Sequence, residues 1–200
     1  MEGTAVGFEW WGEELEYADF DYNTTRLNER AVELPIAQRW LRYSGGRVLE
    51  VGNVLSHYYP GLPERTVVDR YEVADGVSNV DVFDVSSKWH HIVSISTLEH
   101  VRWDEEPREW GGSRRAIEHL MGLLSVRGRM LVTVPLGCNE PLDEWLLDGD
   151  TGVRRACTLV RAGDEWVEGK WVQTEKPVWR PYGIDHPWAG SVWVGEWGPL

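Results

Sequence analysis

Arg47–Asp69, RVLEVGNVLSHYYPGLPERTVVD, holds two short apolar runs whose reading decides the fold. Val48, Leu49 and Val51 make the first run, which ends at Glu50 and Gly52; Arg65–Val68 make the second, which ends at Asp69. Between them lie Gly, Pro, Ser and Asn, the residues of a tight turn and a loop. Apolar runs this short, rich in Val and Leu, suit strands buried on both faces, as in a parallel sheet. Such sheets bind ligands in the crevice beyond the carboxyl ends of their strands. Glu50, Gly52 and Asp69 are therefore the first candidates for a site. Glu50 and Asp69 stand 19 positions apart, near the roughly 20 that separate a glycine turn from a ribose-binding carboxylate in dinucleotide folds.

A carboxylate at the end of the second strand can accept both ribose hydroxyls as charge-assisted hydrogen bonds. A glycine after the first strand lets backbone approach a ligand, because no Cβ intervenes. A dinucleotide would also need G-x-G-x-x-G to seat a pyrophosphate on a helix N-terminus. The run here is Gly52-Asn53-Val54-Leu55-Ser56-His57, with one glycine, and no stretch reads G-x-x-x-x-G-K-[ST]. A nicotinamide-dependent oxidoreductase fails on that count. A nucleoside ligand without phosphates stays open, S-adenosylmethionine being the common one; so does an ordinary βαβ turn with no ligand.

The chain has 200 residues, 42% hydrophobic and 26% charged, the composition of one soluble globular domain. No apolar run reaches the ~18 residues of a membrane span. The opening MEGTAVGFEWWGEELEY is acidic and has neither the basic nor the apolar region of a signal peptide. Cys138 and Cys157 make no framework or metal spacing, so the expected compartment is the cytoplasm. A net charge of −13 argues against a nucleic-acid backbone as partner, since such binding is built on Lys and Arg.

Residues 1–22 alternate acidic and aromatic residues without clear period and read as an N-terminal arm or lid; residues 23–200 read as one domain. Asn23–Tyr43 has helical spacing at Leu27, Ala31, Leu34, Ala37 and Leu41, with Pro35 expected to kink or restart it. Further strands are expected at Asn79–Phe83, His91–Ile95, Arg129–Val134, Cys157–Arg161, Glu165–Val172 and Ser191–Trp197. Helices are expected at Ser113–Ser125 and Pro141–Leu147. Strand and helix alternate through residue 135 and strands then follow closely, which implies an α/β fold: a mostly parallel sheet with an antiparallel edge strand.

VLEVGN followed by VVDRYE, then IVSISTLEHV, a helix and GRMLVTVPLG resembles the class I S-adenosylmethionine-dependent methyltransferases. The similarity is strongest to small bacterial members of glycan or secondary-metabolite pathways, and it runs from about residue 20 to residue 197. The resemblance implies a Rossmann-like, seven-stranded sheet with helices on both faces and the last strand antiparallel. It also implies S-adenosyl-L-methionine as cofactor. Carried over by position, Glu50, Gly52 and Asn53 match the first motif, beside the methionine part, and Asp69 matches the ribose carboxylate. Asp81 and Val82, with Asp84 competing, match the segment bordering adenine, and Ser94 to Ser96 match the strand end under the sulfonium. Val54 and Ser56 stand where later glycines are usual, and His90 where an aspartate is usual before the fourth strand.

The resemblance implies methyl transfer to oxygen or nitrogen of a small-molecule acceptor, with a hydroxyl of a sugar, glycan precursor or secondary metabolite favoured. A hydroxyl acceptor gains from a nearby base, and His is the usual choice. His100 follows the fourth strand, where the acceptor is expected to lie; bracing of the loop is the competing role. His57 and Tyr58 follow the glycine turn and read as packed loop residues. His90 and His91 are adjacent in a strand and point to opposite faces, so no metal is expected there. Asp104-Glu105-Glu106 reads as a solvated charged loop. Trp166, Trp171, Trp179, Trp188, Trp193 and Trp197 suit either sugar stacking or the core, and the core is favoured. The alternative function is a methyltransferase-like protein without catalysis, binding the cofactor or a partner.

Overall fold

The computed structural model describes residues 7–42, 44–148, 150–163, 165–169 and 188–199. Strand β1 (Gly7–Trp10) and β2 (Glu13–Glu16) form an antiparallel hairpin within the stretch read as an arm or lid. Phe8 and Trp10 of this hairpin are buried in the core. The Trp11 amide at its tip donates to Glu168 Oε2 over 2.7 Å.

The expected helix from Asn23 starts later. A 3-10 segment spans Tyr22–Leu27, and α1 covers Arg30–Leu41. Asn23 and Thr24 take left-handed backbone angles, which no α-helix accommodates. Instead of restarting the helix, Pro35 sits inside it. Proline cannot donate to the carbonyl four residues back; here that carbonyl, of Ala31, accepts the amide of Ala18 at 2.9 Å.

Next come β3 (Val48–Val51), β4 (Thr66–Val68), β5 (Val77–Ser78) and β6 (Trp89–Ile95). They are followed by α2 (Gly112–Gly122), β7 (Leu124–Pro135) and α3 (Glu140–Leu147). The last strands are β8 (Arg155–Ala162), β9 (Glu165–Gly169) and β10 (Ser191–Trp197). The sheet order is β5-β4-β3-β6-β7-β10-β8-β9, eight strands rather than the expected seven. β5 through β7 pair in parallel; β10 is antiparallel to both its neighbours, and β9 forms an antiparallel edge. The additional strand is β9, and the hairpin packs beside it.

The strand expected at Asn79–Phe83 is a correction: pairing stops at Ser78, and Val82–Asp84 is a 3-10 turn whose N-cap, Asp81, accepts the Phe83 amide at 3.0 Å. The crossover from β3 to β4 also carries only a 3-10 turn, Leu55–His57, because Pro60, Gly61 and Pro63 leave no room for a longer helix.

Alternation along the strands separates two cores. Val48, Val93, Leu131 and Val192 face α1, the hairpin and Trp166. Leu49, Ile92, Met130 and Trp193 face α2, α3 and Trp197. Trp166, Trp193 and Trp197 are thus core residues, while Trp171 and Trp179 lie outside the described residues. His90 accepts the Arg47 amide at Nδ1, and His91 meets the edge of Trp40. No described helix is long and apolar enough to cross a membrane.

Candidate active site

A cleft of about 960 Å³ opens beyond the carboxyl ends of β3, β4, β5 and β6. Its floor is Val51, Gly52, Val68 and Val82; polar walls come from Asn53, Asp69 to Glu72, Asp81, Ser96, His100 and residues 104–106. Cleft volume and mixed lining suit a nucleoside-sized ligand.

Gly52 has φ +86°, and its amide donates to the Val68 carbonyl at 2.8 Å, closing the gap between β3 and β4. A Cβ there would fall 2.1 Å from Thr97 Oγ1, so both the backbone angle and the Thr97 side chain require glycine. Glu50 is fully buried and does not line the cleft. Its Oε1 accepts the amides of Val54 at 3.0 Å and Leu55 at 2.7 Å, and its Oε2 accepts Arg65. Arg65 also donates to Ser56 Oγ at 2.9 Å. Where glycines would let the loop bend freely, a buried carboxylate and an arginine hold it. This is the physical substitute for the missing glycines.

Asp69 leaves the end of β4 with its carboxylate already engaged. Oδ2 accepts the Asn53 amide at 3.1 Å, and Oδ1 accepts the amides of Tyr71 at 2.9 Å and Glu72 at 2.8 Å. Asp69 thereby ties the first-motif loop to its own turn. Glu72, which sequence reasoning missed, accepts Asn53 Nδ2 at 2.6 Å and stands 3.0 Å from His57 Nε2. It lies three residues beyond Asp69 in VVDRYE, but nothing in that spacing marks it. Asn53 Oδ1 is buried without a hydrogen-bond partner, an acceptor available at the cleft wall. His57 and Tyr58 do not line the cleft.

On the far wall, Asp81 Oδ2 lies 2.6 Å from Arg102 Nη2 and 3.0 Å from Arg70 Nη1. Burial opposes its charge, but the Phe83 amide and the two guanidiniums prevail and hold the carboxyl below its usual range. Glu105 accepts from Arg70 at 2.7 Å and from Arg102 at 2.9 Å, so the loop after His100 is tied to the turn after β4. Val82 is buried against the cleft, whereas Asp84 is exposed and away from it.

Ser94 is buried, donates to the Val51 carbonyl at 2.9 Å and does not reach the cleft. Ser96 does line it, at φ +40°, a strained angle for a non-glycine residue. Its hydroxyl donates to Glu33 Oε1 at 2.6 Å, as does Thr133 Oγ1 at 2.6 Å, while Glu33 Oε2 takes Arg30. His100 is half exposed on the cleft, with Nδ1 2.6 Å from Asp104 Oδ2 and Nε2 3.5 Å from Glu99 Oε1. Glu99 is buried, and burial followed by the charge of Glu33 pushes its carboxyl well above the usual range. Sequence reasoning missed Glu33, Glu99 and Asp104. The spacing of His100 and Asp104, one helical turn, was the signal for the last.

No protein-family model and no curated protein matches the sequence. Solved structures do resemble the chain. The N-methyltransferase NodS from Bradyrhizobium japonicum, in complex with S-adenosyl-L-homocysteine, aligns over 89% of this chain and 93% of its own, with 13% identity and a TM-score of 0.52. An rRNA methylase from Streptococcus thermophilus aligns over 84% and 97%, with 11% identity and a TM-score of 0.49. Magnesium protoporphyrin IX methyltransferase ChlM from Synechocystis, with bound SAM, aligns over 82% and 76%, with 13% identity and a TM-score of 0.44. The likeness to NodS and the strand order agree: the chain has the fold of the class I S-adenosylmethionine-dependent methyltransferases.

Proposed function

We propose that the chain transfers a methyl group from S-adenosyl-L-methionine to a small-molecule acceptor, at a hydroxyl of a sugar, glycan precursor or secondary metabolite. The observation that carries this is the single cleft joining Gly52, Asn53, Asp69, Val82, Ser96 and His100 at the strand ends. These residues fit the cofactor: the cleft is nucleoside-sized, Asn53 Oδ1 is an orphaned acceptor, and the one-glycine loop makes no pyrophosphate seat. Asp69 and Asn53 would hold the ribose, Val82 would pack beside the adenine, and the Gly52 backbone would pass the methionine part.

When bound, the cofactor supplies an electrophilic methyl carbon on a sulfonium. The chain's own residues place and activate the acceptor. With Nδ1–H donated to Asp104 Oδ2, the His100 imidazole has Nε2 as its basic nitrogen. Nε2 takes the proton of the acceptor hydroxyl, and Asp104 steadies the imidazolium that results. The ion pairs of Arg70, Arg102, Asp81 and Glu105 hold the loop after His100 in place beside the cleft.

A second reading, a methyltransferase-like module without catalysis that binds the cofactor or a partner, is favoured by one observation: Asp69 and Asp81 already carry internal partners, which leaves fewer acceptors for a ribose. Calorimetry with S-adenosylmethionine and S-adenosylhomocysteine, followed by turnover on a sugar and natural-product panel, separates the two. Micromolar binding of both with methylated product supports the enzyme. Binding without product on any acceptor supports the cofactor-binding module, and failure to bind either ligand overturns the enzyme and leaves the partner-binding module.

A further inference from the structure

Asp69 is short of open lone pairs. A carboxylate offers about four acceptor positions, two on each oxygen. The amides of Tyr71 and Glu72 fill Oδ1, and the Asn53 amide takes one position on Oδ2. A single position is left, whereas a ribose presents two vicinal hydroxyls. Glu72 lines the same cleft wall with the opposite balance. Its Oε1 accepts Asn53 Nδ2 at 2.6 Å and lies 3.0 Å from His57 Nε2, while Oε2 has no partner among the described residues. The residue is fixed from several directions. Its amide donates to Asp69 Oδ1 at 2.8 Å, and its carbonyl accepts Asn79 Nδ2 at 2.6 Å. His57, stacked on Tyr22 with ring centroids 5.3 Å apart, holds Oε1 from outside the cleft. Asn53, 5% exposed, joins the two carboxylates: its backbone N–H goes to Asp69, its side-chain N–H to Glu72, and its Oδ1 has no partner.

We infer that Glu72 is a second ribose carboxylate: Asp69 Oδ2 takes one of the vicinal hydroxyls and Glu72 Oε2 takes the other. The inference rests on the methyl-transfer reading of the cleft and changes how its nucleoside is held. A lone carboxylate that serves both hydroxyls through its two oxygens needs both of them open, and two amides close Asp69 Oδ1. Those amides belong to the turn that carries Glu72, so the contacts that close Asp69 Oδ1 also set Glu72 on the wall. With Oε1 occupied by Asn53 and His57, Oε2 is the oxygen left to accept a charge-assisted bond from a hydroxyl. The two hydroxyls are thereby held by separate residues, and each contact can be removed without the other.

The test separates the hydroxyls. S-adenosylhomocysteine and its 2′-deoxy and 3′-deoxy analogues are titrated calorimetrically into the full chain and into Glu72→Gln, which keeps an oxygen for Asn53 and turns an amino group to the ligand. In wild type each missing hydroxyl is expected to weaken binding by about tenfold or more, the size of one hydrogen bond to a charged group. In Glu72→Gln one of the two penalties should shrink to within about threefold, while the other, set by Asp69, stays at about tenfold. Glu72→Asp, which draws the carboxylate back by one methylene, should show the same split and serves if Glu72→Gln does not fold. A Glu72 that only braces the loop would weaken all three ligands by a common factor and leave both penalties in place. That result overturns the inference, as does loss of both penalties together or a wild type indifferent to either hydroxyl. In each of these cases S-adenosylhomocysteine still binds, and the methyl-transfer reading stands. Failure of the wild type to bind S-adenosylhomocysteine overturns both.

Discussion

Gly52 and Thr97 approach so closely that a Cβ on the glycine would lie 2.1 Å from Thr97 Oγ1. The two residues come from the ends of β3 and β6, so this contact sets the width of the cleft floor. Gly52→Ala adds that Cβ and also strains a backbone at φ +86°. A loss of about 1–3 kcal/mol in stability is expected, together with weaker S-adenosylhomocysteine binding as Thr97 is pushed toward the ligand. Urea denaturation and calorimetry on the same preparation measure both; a variant as stable as wild type would mean that the contact is slack.

Asp69 anchors three backbone amides, so its removal disturbs the fold as well as the ligand. Asp69→Ala should lower stability by about 1–3 kcal/mol and weaken S-adenosylhomocysteine binding by a comparable amount. Asp69→Asn keeps one acceptor oxygen and should recover most of the stability but little of the binding. If both variants bind normally, the ribose site is elsewhere.

In the proposed mechanism the His100–Asp104 pair separates chemistry from binding. His100→Ala should keep S-adenosylhomocysteine affinity and melting temperature while turnover falls roughly 10²–10⁴-fold. Asp104→Asn should lower turnover by less, with recovery in Asp104→Glu, since in the proposed mechanism Asp104 would act through the ring rather than on the acceptor. Near-normal turnover in His100→Ala would remove the histidine from catalysis.

Asp143 makes a pH prediction away from the cleft. It is 6% exposed, its Oδ2 accepts the Gly137 amide at 2.7 Å, and burial, then the charges of Glu140 and Glu144, push its carboxyl up to about 7. A carboxyl raised in the folded state contributes stability that is fully present below about pH 4 and is lost as pH rises through about 7. Asp143→Asn should therefore be more stable than wild type at pH 8, by on the order of 2 kcal/mol, with the advantage gone at pH 4. Urea titrations at both pH values give the difference; an advantage that does not vary with pH would assign it to packing instead.

The short apolar runs of Val, Leu and Ile made the parallel strands legible, because a strand buried on both faces is apolar along most of its length. Asp69 and Gly52 were legible as well, since their positions follow from strand ends. Asn79–Phe83 misled because Val80 and Val82 alternate with polar residues like a strand, while the Asp81 side chain caps a turn and ends the pairing first. The start of α1 was obscured by Asn23 and Thr24, whose backbone angles sequence spacing does not report. The polar surroundings of His100 were hidden for a different reason. Glu33 and Glu99 lie 66 residues apart in the chain and are brought together only by packing of α1 over the end of β6.

The Ala31 carbonyl gives this chain a trade-off at one oxygen. Pro35 withholds the helix's own donor, and Ala18 takes the vacancy. A residue at position 35 with an amide hydrogen would make α1 a better helix and a poorer mooring for the segment that precedes it. Stabilising that helix by its local preferences alone would therefore set its leading strap adrift.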